Sequence, residues 1–160
     1  MEKQLETKVL DFLKDYSKFY NDFLNLEKVK LDDIQKGNYD TLDKHVRGEE
    51  AFVLKSRGLE KERIALMEQA GKKDATFSEI ILMFSEDVRP QLQETFDKFS
   101  EIIFELKEVN AECNDLANLK LQTIQNTLKK MNGNKEVSGI YDQQAKNLGS
   151  SPSSFISRKI

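Results

Sequence analysis

Hydrophobic residues recur at alternating spacings of four and three along most of this chain. Leu5, Val9, Phe12, Tyr16, Phe19, Phe23 and Leu26 make one such series. Leu10, Leu13, Tyr20, Leu24, Leu31 and Ile34 make an adjoining one. The period is that of a helix, and two neighbouring stripes give it a wide apolar face suited to a bundle. The pattern predicts a helix over about 3–35, roughly 50 Å long at 1.5 Å per residue. Its first stripe drifts at Lys30 and Asp33, and Gly37 suits a left-handed C-terminal turn.

A second helix is predicted over 41–70, with Asp40 as its N-cap and Asp43 in its first turn. Its apolar positions are Leu42, Val46, Phe52, Val53, Leu59, Leu66 and Met67, and Glu49, Ser56 and Arg63 interrupt the stripe. Glu49 and Arg63 lie too far apart to pair with each other, but each could meet a charge on a neighbouring helix. Gly71 supplies the stop. Thr76 followed by Glu79 reads as a capping box, opening a short helix over 77–86. Pro90 then forces a boundary or kink, or sits in the first turn of the next helix.

The last helix, over 90–132, keeps the four–three alternation through Leu92, Phe96, Phe99, Ile103, Leu106, Asn110, Cys113 and Ala117. Val109, Leu116, Leu121, Ile124, Leu128 and Met131 complete its face. At roughly 65 Å it outruns its partners. The expected fold is all-α: an elongated antiparallel three-helix bundle over 1–132, running up-down-up, with a short extra helix before the last long one. Residues 133–160 change character. Glycines, a proline and a serine cluster read as a flexible tail, broken by Ile140-Tyr141, Leu148 and Phe155-Ile156. Bundle helices of unequal length leave an apolar stretch, about Leu116 to Met131, for a partner unless the short helix or the tail covers it.

Composition narrows the function. The net charge of −3 weakens any case for nucleic acid, which calls for a positive patch. A single cysteine fits a reducing compartment, and one cysteine with one histidine, His45, leaves no ordinary zinc site. No cofactor is expected. The longest apolar run, Ile80 to Phe84, is far too short to span a bilayer, and the N-terminus lacks a signal core. Mixed charge along every helix argues against a membrane-surface role. A soluble, cytoplasmic protein is expected. No nucleophile stands with a base, and Glu49 and Glu50 are adjacent and diverge on a helix, so no enzyme is expected. His45 and Cys113 read as helix-face and core residues. Asn110 and Asn114 share a helix face, either as an interior pair that fixes register or as groups that bond a partner.

Three segments in order resemble the FlgN-type flagellar export chaperones. Glu49-Glu50 followed by Leu59-Glu60-Lys61-Glu62-Arg63 resembles the family's paired glutamates and LE-x-x-R before a glycine. Leu106 to Asn110, with Asn114, Leu116 and Leu119, resembles its asparagine-containing segment in the long last helix. Ile140-Tyr141-Asp142 resembles the tyrosine motif after that helix, although the glycine common after the tyrosine is replaced here by Gln143-Gln144-Ala145-Lys146-Asn147. The resemblance covers about 5–145. It implies a chaperone for the C-terminal amphipathic segments of hook-associated (hook–filament junction) proteins, which it keeps from premature assembly and delivers to a membrane export gate. On that reading Leu116, Leu119, Ile124, Leu128 and Met131, with Asn110 and Asn114 at the edge, contact the client. Tyr141 would dock on the gate. The competing expectation is a structural bundle whose exposed face self-associates into a homodimer.

Overall fold

The computed structural model describes residues 2–132, so Tyr141 and the rest of the tail lie outside the described residues. Helix α1 spans Lys3–Lys36, α2 Leu42–Gln69, α3 Phe77–Ile81 and α4 Arg89–Met131. A 3-10 turn at Tyr39–Thr41 joins α1 to α2. The helices form the expected all-α bundle, with α1 packed against both α4 and α2. Glu6 meets Ser85, Tyr16 stacks on Phe99 at 5.1 Å, and the Cys113 thiol reaches the Glu27 carbonyl at 3.7 Å. These contacts advance together along the chain, so α1 and α4 run parallel. Phe23 on Phe52, Lys30 on Glu49 and Asp33 on His45 advance oppositely, so α2 runs antiparallel to α1.

Local signals account for the helix ends. Gly37, at φ 76°, closes α1: its N–H donates to Ile34, and that of Asn38 donates to Asp33. Gly71, at φ 83°, repeats the arrangement after α2, with Lys72 N–H donating to Met67. Both are left-handed terminations in which a Cβ would be strained. Thr76 N–H donates to Glu79 Oε2 at 2.7 Å, completing the capping box.

Two expectations change, and of the two placements open to Pro90 the second holds. The N-terminus of α2 follows the 3-10 turn, so Thr41 rather than Asp40 stands at the N-cap. Pro90 lies in the first turn of α4, where its missing N–H costs nothing, and does not kink the helix. The short helix ends at Ile81, not 86. Buried Glu6 explains that early end. Its two carboxylate oxygens accept the Ser85 N–H and hydroxyl, each at 2.8 Å, while the Arg89 guanidinium donates to the Phe84 carbonyl at 2.8 Å. Backbone groups that would have continued the helix are drawn into this turn. Ile80, Ile81 and Phe84 are buried in consequence, and Leu82 and Met83 point outward. Replacing Glu6 with alanine strands two Ser85 donors and should lower urea-measured stability by roughly 2–3 kcal/mol, against about 1 kcal/mol for Ser85→Ala. Equal effects would count against this account of the turn.

The aromatic stripe is core: Phe12, Tyr16, Phe19, Tyr20 and Phe23 are buried against Phe52, Phe77 and Phe99. The interruptions of the α2 stripe prove to be its most buried face. Glu49, Ser56 and Arg63, seven residues apart, all turn inward. Glu6 and Glu27 sit in register with Leu13, Tyr20 and Ile34 on α1, and Lys30 continues Val9, Tyr16 and Phe23. A seven-residue repeat therefore passes through the charged positions without leaving the core. Arg63 is satisfied by a two-point bond to Glu60, at 3.0 and 2.9 Å, and by the Ala75 carbonyl at 3.2 Å. This fastens the end of α2 to the loop before α3.

Candidate functional site

Cys113 is the last fully buried residue of α4. Lys120 marks the end of α1, where its ammonium donates to the Gln35 carbonyl at 3.2 Å and lies over the Tyr39 ring. Residues 121–131 continue past that point for about 16 Å. Along this length Leu121, Ile124 and Leu128 are half-buried and Met131 is 70% exposed. Leu116 is half-buried and Leu119 is 61% exposed. Among the described residues, the apolar periodicity of α4 thus runs past the end of α1.

Of the residues singled out from sequence, Leu116, Leu119, Ile124, Leu128 and Met131 lie on this stretch. Asn114 is half-buried at its start. Asn110 is buried with the core positions Leu106 and Cys113, and its Oδ1 accepts no hydrogen bond from the described residues. A client would have to reach it by parting the bundle.

An open hollow of about 640 Å³ borders the stretch, lined by Gln35, Glu108, Ala111, Glu112, Asp115, Leu116 and Leu119. Its lining mixes apolar side chains with the carboxylates of Glu108, Glu112 and Asp115. Phe104, 65% exposed, continues the same α4 face one to two turns earlier. Phe104, Glu108, Ala111, Asp115 and Leu119 fall at spacings of three and four, so apolar groups alternate with carboxylates along one line.

Beneath this end of the bundle lies a buried ionic cluster joining α1 to α2. The Lys30 ammonium pairs with Glu27 at 3.0 Å and is in close contact with Glu49. All three side chains are buried. Burial, helped by hydrogen bonding to Glu27 and by that residue's charge, pushes the Glu49 carboxyl up to about 8; Lys30 pulls the other way and loses. Burial lowers Lys30, but the two carboxylates outweigh it and hold the ammonium above its ordinary value. Glu27 Oε1 and Glu49 Oε2 accept no hydrogen bond from the described residues, and a proton held on Glu49 supplies the missing donor. Burial also pushes the adjacent Cys113 thiol up to about 12, leaving it protonated and inert.

The cluster sets a pH dependence. A carboxyl whose folded value exceeds its unfolded one binds more protons in the folded state. Stability from Glu49 is therefore fully present below about 4.5 and falls as pH rises toward about 8. The slope reaches at most about 1.4 kcal/mol per pH unit for one proton. Asp33 has the opposite sign. Hydrogen bonds from His45 at 2.5 Å and Thr41 at 2.9 Å hold its carboxyl below the ordinary value, so its contribution fades only in acid. Urea midpoints should drop between pH 5.5 and pH 8.5, and Glu49→Gln should flatten that drop. An unchanged drop in Glu49→Gln would assign the dependence elsewhere.

The sequence allowed Glu49 a charge partner on a neighbouring helix, and Lys30 is that partner; the buried triad with Glu27 was missed because hydropathy sends all three to solvent. The readable signal was position: Lys30 falls on the continuing apolar stripe, and Glu49, Ser56 and Arg63 repeat every seven residues. The described residues hold no group of side chains that could bind a metal ion, and no helix among them is long and apolar enough to cross a membrane.

Comparison with known proteins gives one family. The model of the FlgN protein family matches residues 1–149. No curated protein and no solved structure matches the chain. A match across nearly all of the chain, on a bundle of long helices, places it: the protein belongs to the FlgN family of flagellar export chaperones.

Proposed function

We propose that this chain is a cytoplasmic chaperone that binds the C-terminal amphipathic segments of hook–filament junction proteins. It keeps them from assembling early and delivers them to the membrane export gate. The observation that carries the reading is the apolar series Leu116, Leu119, Ile124, Leu128 and Met131, which continues beyond the last buried residue of α4. A client helix laid along that series buries apolar surface on both partners, in the helix-in-groove manner. Asn114, half-buried at the start of the series, can bond the client backbone at its edge. Asn110 joins that contact only if client binding loosens the α4 seam. The family membership supports the class of function, and the α4 face supports the mode.

The test is a pull-down with the full chain in its native cytosol. Recovery of hook–filament junction proteins, retained when only their C-terminal segments are supplied, supports the reading. Recovery of the bait alone, with light scattering giving a dimer mass, supports a self-associating bundle in its place. Tyr141 is assigned to gate docking. Tyr141→Ala should leave client affinity unchanged and weaken binding to the gate component, and equal loss of both would remove the separate docking role.

A further inference from the structure

The family match ends at residue 149, and the chain beyond it closes on a short apolar and basic segment. Residues 155–160 carry Phe155, Ile156 and Ile160 with Arg158 and Lys159. The hollow beside α4 has the opposite character. Leu116 and Leu119 give it apolar ground, and Glu108, Glu112 and Asp115 also line it, none of them in a salt bridge within the described residues. Between residues 101 and 119 the only base, Lys107, faces the acids Glu101, Glu105, Glu108, Glu112 and Asp115. Of those, Glu105 alone is paired among the described residues, to Lys28 at 2.6 Å.

We propose that residues 155–160 occupy this hollow when no client is bound, as an internal competitor for the client surface. Reach agrees with the idea. From Met131 to Phe155 there are 24 residues, by 155 − 131, and an unstructured linker of that length has an r.m.s. span of about 27 Å. From Met131 back to Asp115 along α4 the distance is about 24 Å. A linker whose typical span matches its gap gives the highest effective concentration of its end group. Phe155 and Ile156 set against Leu116 and Leu119 leave Arg158 and Lys159 facing those carboxylates. Docking and client binding share Leu116 and Leu119, so a client must displace the segment. The docking stands on the hollow and the segment alone, whereas the competition rests on the chaperone reading above.

The test uses the full chain, labelled for amide NMR. In Arg158→Glu/Lys159→Glu and in Phe155→Ser/Ile156→Ser, the amides of 108–119 should shift and the rest of the bundle should not. Adding Glu112→Lys and Asp115→Lys to the first variant should restore docking, read as amide shifts over 108–119 that differ from those of Glu112→Lys/Asp115→Lys alone. Unchanged amides over 108–119 in both tail variants overturn the docking. Shifts that fade on dilution of the native protein mean exchange between copies and overturn the intramolecular form. A second arm titrates a synthetic C-terminal peptide of a hook–filament junction protein from the same organism. If the segment covers the hollow nine-tenths of the time, both tail variants bind that peptide about tenfold tighter. Shifts without a gain in affinity overturn the competition and leave the docking. No binding of the peptide by any of these proteins defeats the chaperone reading, and the amide shifts still decide the docking.

Discussion

Lys30→Met should destabilise the bundle by about 3–5 kcal/mol in urea unfolding, a large share of the roughly 5–15 kcal/mol that holds a typical domain folded. The substitution keeps the length and apolar stem of the side chain, so packing between α1 and α2 changes little. What it removes is the ammonium that Glu27 and Glu49 share. Two buried carboxyls are then left with each other, and the folded state must take up a further proton or bury an unpaired charge. The loss should shrink at low pH, where protonation is cheap. The triple variant Glu27→Leu/Lys30→Met/Glu49→Leu separates charge pairing from shape. It removes all three charges together and should lie within about 1 kcal/mol of the native protein or exceed it. A triple variant as unstable as Lys30→Met would show that the cluster contributes packing rather than electrostatic balance.

The second large effect concerns binding. Ile124→Asp with Leu128→Asp should abolish binding to the C-terminal segment of a junction protein while the helical CD signal survives. Neither side chain is fully buried, and both lie beyond Cys113, so aspartate there meets water in the free protein. In the complex each must be desolvated. Losing about 1.5–3 kcal/mol of apolar burial at each of two positions predicts an affinity loss of roughly 10²–10⁴-fold. Leu54→Asp is the control: Leu54 is 70% exposed on α2, away from α4, and its change should leave affinity as it was. Loss of helix together with binding would assign Ile124 and Leu128 to the core.

The parts of this fold that were legible in the sequence are those set by local chemistry. Gly37 and Gly71 end their helices because only glycine enters the left-handed turn freely, and Thr76 with Glu79 closes a cap within four residues. The apolar periodicity located the long helices and the length of α4 that runs past the end of α1. What escaped notice depends on contacts distant in sequence. Residues 82–86 could have continued a helix, and it is Glu6, 79 residues away, that takes the Ser85 N–H out of it. Lys30 and Glu49 could each have been solvated, and only the meeting of α1 with α2 makes them a buried pair. Asn110 and Asn114 shared a face on paper, yet the fold buries the former and leaves the latter half open. A seven-residue count through the polar positions carries information that hydropathy alone discards.

Beyond its last buried residue, α4 is on this account the surface that a client covers. Hydrogen exchange of the full chain, with and without the C-terminal peptide of a hook–filament junction protein, tests that most directly. Binding should add protection to 116–131 and leave α2 and the start of α1 unchanged. Tight binding whose protection falls on α2 or on the start of α1, with 116–131 exchanging as before, would contradict it.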